Sequence, residues 1–251
     1  MFNLNSSLGC EVQLRFTLKV NLDFMPRKAR IIEKNIPIHV TQRGNNRQDI
    51  FKSDEDKAFY IKCFMQYKRK FKVKVYAWCL MDNHVHFVLE PTTLSGVSKM
   101  FQALNTKYVM YFNSKHKQSG RLFGDRFFSC LLDEDHLFEA IRYVELNPYR
   151  AKLENLPGVS YQWTSARERL GLIKTRFLSS VESYFSVKRW SDYLKEPIEQ
   201  INGEVQLVWK TLKKHTQRGI PVGSTTFISK ICAKFNRTYT LRFRETLSWK
   251  T

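Results

Sequence analysis

The sequence has no apolar run long enough to span a bilayer, no C-x-x-C pair, no internal repeat and no low-complexity segment. The first absence argues against a membrane-spanning chain. The stretch MFNLNSSLGCEVQLRF has neither the basic start nor the continuous apolar core of a secretory signal. The five cysteines (Cys10, Cys63, Cys79, Cys130, Cys232) are scattered and odd in number, which excludes a disulfide framework and a zinc knuckle. A reducing, cytoplasmic location is therefore expected, and a DNA partner would make it nucleoid-associated. Acidic residues are also scarce. Only 23 Asp and Glu face 42 Lys and Arg, a formal net charge of +19. That surplus points to a polyanionic partner, nucleic acid before an acidic membrane surface. Hydrophobic residues make up 43% of the 251, enough for a real core.

The coarse pattern alternates strands and helices. IPIHVTQRG (36–44) alternates apolar and polar residues up to a glycine turn. SDEDKAFYIKCFMQYKRKF (53–71) opens on a cap residue and acids and closes on bases, a helix with Phe59, Cys63, Phe64 and Tyr67 on one stripe. KVKVYAWCLM (72–81) and HVHFVLEP (84–91) read as strands separated by Asp82 and Asn83, close enough to form an antiparallel hairpin. A long basic helix is expected over 94–117, a fourth strand over 126–133 and a helix over 133–148 that stops near Pro148. This order predicts an α+β fold, an antiparallel sheet with helices on one face. Beyond residue 165, ARERLGL and 181–216 look helical, 217–224 reads as a loop, and 225–235 as a short closing helix. Three units are expected: an N-terminal extension over 1–24 ahead of MPRKARI, a catalytic domain over 25–171, and a helical C-terminal region over 172–251.

Two strings carry chemistry. In a strand, side chains two apart share a face, so His84 and His86 stand side by side. They can share a metal ion or be ordinary satisfied histidines. In IRYVELNP, Tyr143 and Asn147 are one helical turn apart and share a face. If that face lies on the histidine strand, two imidazoles and an amide oxygen can hold a divalent ion with a phenol beside it. Taken singly, Tyr143 reads as a core-edge aromatic and Asn147 as a helix-end residue. Together they suit phosphodiester transesterification, in which a metal polarises the phosphate and a tyrosine attacks phosphorus. Arg43, Asn45, Asn46 and Arg47 form a polar loop suited to phosphates or base edges. Lys115, Arg126 and Arg150 are further candidate DNA contacts. Tyr108, Tyr111 and Phe112 can either stack on unpaired bases or sit in the core.

The strings HVTQRGNNRQDIF (39–51), WCLMDNHVHFVLEP (78–91), YFNSKH (111–116), GRLFGDRFFSCLLDEDHL (120–137), YVELNPYRAKL (143–153) and YQWTSARERLG (161–171) resemble the REP-associated tyrosine transposases, HUH single-tyrosine enzymes of bacterial insertion sequences. The resemblance covers about residues 25–171. It implies a ferredoxin-like sheet, Tyr143 as nucleophile and His84, His86 and Asn147 as metal ligands. It also implies magnesium or manganese as the ion, and single-stranded DNA carrying hairpin repeats as the substrate. The implied product is a 5′-phosphotyrosine with a free 3′-hydroxyl, made by a monomer or a homodimer. Two departures touch loops: Asp82 stands where the family often has Pro, and LFGDRF (122–127) replaces L-W-Q-G-R-F. The rival readings are a catalytically silent sequence-specific DNA-binding protein on the same fold, and another HUH enzyme, a relaxase or replication initiator.

Overall fold

Alternating side chains build the sheet that carries the site. β1 (Ile38–Arg43), β2 (Val73–Met81), β3 (His84–Pro91) and β4 (Phe128–Leu131) pair antiparallel in the order β2-β3-β1-β4. α1 (Asp54–Lys70) joins β1 to β2, and α2 (Gly96–His116) joins β3 to β4. That connectivity and strand order make the ferredoxin-like arrangement. The computed structural model describes residues 29–181, 187–195 and 203–237, with side chains of the helical stretch 203–208 excepted. The expected extension over 1–24 lies outside the described residues, as do 182–186 and 196–202 of the region expected to be helical.

α1 forms where its termini are satisfied. Ser53 caps it by accepting from the Asp56 amide, three acids fill the first turn and three bases the last, all complementing the helix dipole. Asp56 then ties α1 to α2. Its buried carboxylate accepts from Lys115 Nζ at 2.8 Å, His116 Nε2 at 2.9 Å and the Lys52 backbone amide at 2.9 Å. Burial alone would raise its pKa, but these hydrogen bonds outweigh it and hold the carboxyl below the usual range.

Strand alternation splits the core into two layers. Ile38, Val40, Val85, Phe87 and Leu89 face α1 and α2, packing on Tyr60, Phe64, Phe101 and Leu104. The opposite face carries His39, His86 and Val88. It is covered by α3 (Glu134–Glu145) and α7 (Gly203–Arg218), with α6 (Val187–Lys195) beyond them. The expected α+β fold with an antiparallel, ferredoxin-like sheet is present, and helices cover both of its faces. α1 and α2 supply the ferredoxin-like layer, and α3 and α7 bury a face that would otherwise leave Ala77, Cys79 and Val88 in water. Within the C-terminal region, α7 packs on β4 and β1.

Both sheet edges are closed by neighbouring backbone. Residues 163–165, just ahead of the single-turn α5 (Ala166–Arg169), bond to β2 through Leu80 N to Trp163 O at 2.9 Å and Ser165 N to Trp78 O at 2.9 Å. Val222, in the segment between α7 and α8 (Thr225–Lys234), donates to Leu131 O at 2.8 Å on the β4 side. The unpaired amides of an open edge are thereby satisfied. Among the described residues Cys63, Cys79, Cys130 and Cys232 are free thiols. No helix there is long and apolar enough to cross a membrane.

Candidate active site

Met81 pairs with His84 in register, so only Asp82 and Asn83 connect β2 to β3. The turn is anchored from outside: the Gly44 amide donates to Asn83 O at 3.0 Å, and the Ile50 and Phe51 amides donate to Asp82 O at 2.8 and 3.0 Å. Gly44 is required for this approach, because a Cβ there would lie 2.1 Å from Gln48 O. His84 is thus fixed at the end of the sheet, with His86 next along the same face. Their rings meet edge-on with centroids 4.9 Å apart.

α3 starts at Asp133, whose side chain accepts from the His136 amide at 3.0 Å, and runs as far as Glu145. Leu146 separates it from the single turn α4 (Asn147–Arg150), whose Pro148 sits in the first turn where no amide is needed. The helix lays Tyr143 against the histidines. The Tyr143 ring lies 5.7 Å from His86 and 5.7 Å from His39, edge-on to each. Asn147 donates its amide nitrogen to Tyr143 O at 2.8 Å, which fixes the plane of the amide and leaves Oδ1 as its acceptor. His84, His86, Tyr143, Asn147, Arg43 and Arg150 all line one cavity of about 340 Å³.

The hydrogen bonds select a tautomer at each histidine. Burial holds His39 and His84 neutral, with pKa values down to about 3 and about 4, and pushes His86 well below the ordinary range. Thr216, on α7, donates its hydroxyl proton to Leu212 O at 2.7 Å, so toward His39 Nδ1, 2.7 Å away, it can only accept. His39 Nδ1 therefore carries the proton and Nε2 is bare. Nε2 lies 3.1 Å from His86 Nδ1 and accepts from it. His86 Nε2 is left with its lone pair. At His84 the same follows from Asn83 Oδ1, which accepts from Nδ1 at 2.5 Å. Both imidazoles keep Nε2 available, the state a metal ligand needs. Among the described residues no group of three His, Cys, Asp or Glu can hold a metal, so Asn147 and an external oxygen would have to complete the set.

The cavity is cationic. Arg43, Arg150 and Lys213 line it, and among its described lining residues there is no Asp or Glu. Arg150 lies over the Tyr143 ring, its guanidinium carbon 5.1 Å from the centroid. Burial raises the Tyr143 pKa, and Arg150 and then Arg43 oppose the rise.

The other candidates fall elsewhere. Asn45–Arg47 form a 3-10 turn beside β1, with Asn46 and Arg47 exposed. Arg126 lines a neighbouring pocket. Lys115 is bound by Asp56 and by Glu55 at 2.9 Å, which makes it a helix-pairing residue away from the cavity. Tyr108 and Phe112 are core residues, 0% and 1% exposed, and Tyr111 stacks on Phe59 at 3.8 Å, so none of the three is an open stacking platform. His39, Thr41, Lys213 and Thr216 line the site although the sequence reading gave them no role. Strand alternation held a signal for the first two, since His39, Thr41 and Arg43 share a face of β1.

Residues 33–147 match a family described as "Transposase IS200 like". No curated relative matches the chain. Among solved structures, a REP-associated tyrosine transposase bound to a REP hairpin is similar at 14% identity and a TM-score of 0.49, over 65% of this chain and 93% of that one. A Deinococcus radiodurans protein proposed to be a transposase is similar at 15% identity and a TM-score of 0.34, over 51% and 92%.

Proposed function

From the premise that residues 33–147 belong to the IS200-like transposase family, we propose that this chain cuts and rejoins single-stranded DNA at hairpin-forming repeats through Tyr143. The observation that carries the reading is the cavity itself: a phenol, two imidazoles with bare Nε2 atoms, an oriented amide and three cationic side chains, without a carboxylate among the described lining residues. That set suits an anionic phosphodiester and a nucleophile that stays attached to it.

Arg43, Arg150 and Lys213 hold the phosphate and take up charge that develops on its oxygens. Free tyrosine has a pKa of about 10, so the phenolate is scarce at neutral pH, and Arg150 favours it. Tyr143 gives up its phenolic proton, its oxygen bonds to phosphorus, and the bond to the 3′-oxygen breaks. That oxygen takes a proton and leaves as a 3′-hydroxyl. The 5′-phosphotyrosine conserves the phosphodiester, so a 3′-hydroxyl can reverse the step. His84 Nε2, His86 Nε2 and Asn147 Oδ1 are the atoms that would hold a divalent ion, magnesium or manganese. When bound, it supplies Lewis acidity at the scissile phosphate. His39 and Thr216 orient His86.

The test is a denaturing gel of labelled single-stranded DNA carrying the hairpin repeats that flank the protein's own gene. The wild-type chain forms a protease-sensitive adduct with magnesium or manganese, and none with chelator or with Tyr143→Phe. Tight binding without an adduct under any metal would support a silent DNA-binding protein instead.

A further inference from the structure

A second pocket, about 440 Å³, opens beside the catalytic cavity and shares Phe128, Thr216 and Gln217 with it as a common wall. Arg30, Arg126, Arg218 and Arg237 line it, against one acid, Asp125. Arg30 is braced in place, its guanidinium 3.9 Å over the Phe127 ring and donating to Phe127 O at 3.2 Å. Burial lowers its pKa, and the neighbouring charge of Arg126 lowers it further. Phe128 is 36% exposed and stands on the wall between the two cavities. An exposed aromatic flanked by guanidinium groups is the combination that holds unpaired nucleotides, by stacking on the base and by charge on the backbone.

We propose that this pocket is a nucleotide subsite for the single strand next to the scissile phosphate. Phe128 stacks on a flanking base, and Arg126 and Arg218 bind backbone phosphates on either side of it. The site rests on the reading of the chain as a single-strand DNA enzyme, and it gives that enzyme a path for the strand: out of the Tyr143 cavity, across Phe128, into the arginine pocket.

The test is binding of a fluorescent oligo-dT by the full chain in chelator, followed by anisotropy across a salt series. Each single-strand phosphate contact contributes about 0.7 to the slope of log affinity against log salt. Arg126→Gln with Arg218→Gln, both exposed residues, should lower the slope by about 1.4. Phe128→Ala should weaken binding roughly tenfold with the slope unchanged. Lys99→Gln with Lys107→Gln, equal in lost charge but on α2, should keep the wild-type slope. The proposal is overturned if the arginine pair keeps the wild-type slope, if the lysine pair loses as much, or if the wild-type chain does not bind the oligonucleotide. The chelator makes the outcome independent of strand cutting. A chain that makes no adduct but shows the arginine effect contradicts the transposase chemistry and leaves the subsite standing.

Discussion

The tautomer of His86 is set by a chain of hydrogen bonds behind it. Its Nδ1 proton goes to His39, whose own proton goes to Thr216, whose own proton goes to Leu212. Thr216→Val removes the acceptor at the far end, so the metal-free protein should show mixed tautomers at His39 and His86 in nitrogen-15 imidazole spectra, while Thr216→Ser keeps the wild-type pattern. Manganese affinity by calorimetry should fall at least about tenfold in the valine variant. An unaltered tautomer pattern in Thr216→Val would remove this relay from the account. Arg150→Gln tests the proposed role of Tyr143. With the cation gone the Tyr143 phenolate is harder to form, so adduct formation should slow roughly tenfold at neutral pH, with the deficit shrinking as pH rises. A deficit constant with pH would mean that Arg150 only binds phosphate. At this scale the histidine pair was legible because strand alternation places alternate residues on one face, and Tyr143 with Asn147 because helical spacing does the same. His39 was not assigned a role: its partners lie 47 and 177 residues away, and nothing in a strand pattern names them.

Elements meet at a few buried polar anchors, and Asp56 is the clearest. Its carboxylate joins the start of α1 to the end of α2. Asp56→Asn should destabilise the fold by about 3 kcal/mol in urea unfolding, because it leaves buried donors around a neutral group. The pH dependence has a fixed sign. The folded carboxyl titrates below its ordinary value, so as pH falls the unfolded chain binds the proton first. The stability Asp56 contributes is complete above about pH 4 and is lost as pH falls through the folded value. The difference between wild type and Asp56→Asn should therefore shrink in acid, and a difference that grew instead would show the anchor misassigned. Caps, turns and periodicity made the α1, α2 and hairpin boundaries legible nearly to the residue. The second helical layer was missed because α7 is separated in sequence from β1 by more than 150 residues, and an amphipathic pattern does not say which surface it covers.

Across the whole molecule, composition and geometry agree. A net charge of +19 implied a polyanion, and the structure gathers part of it around two adjoining cavities, one with Tyr143 and one with four arginines. His84, His86, Tyr143 and Asn147 line one cavity, and the proposal builds the site within a single chain. Mixing Tyr143→Phe with a His84→Ala, His86→Ala chain should therefore restore no adduct, and restored activity would place the tyrosine in a neighbour's site. The most direct measurement is mass spectrometry of tryptic peptides after incubation with the hairpin DNA and manganese. Trypsin leaves YVELNPYR, residues 143–150, which holds both Tyr143 and Tyr149. The account predicts a nucleotide mass on this peptide, located by fragmentation to Tyr143, still present in Tyr149→Phe and absent in Tyr143→Phe. A nucleotide on Tyr149, or an adduct that survives in Tyr143→Phe, would contradict it.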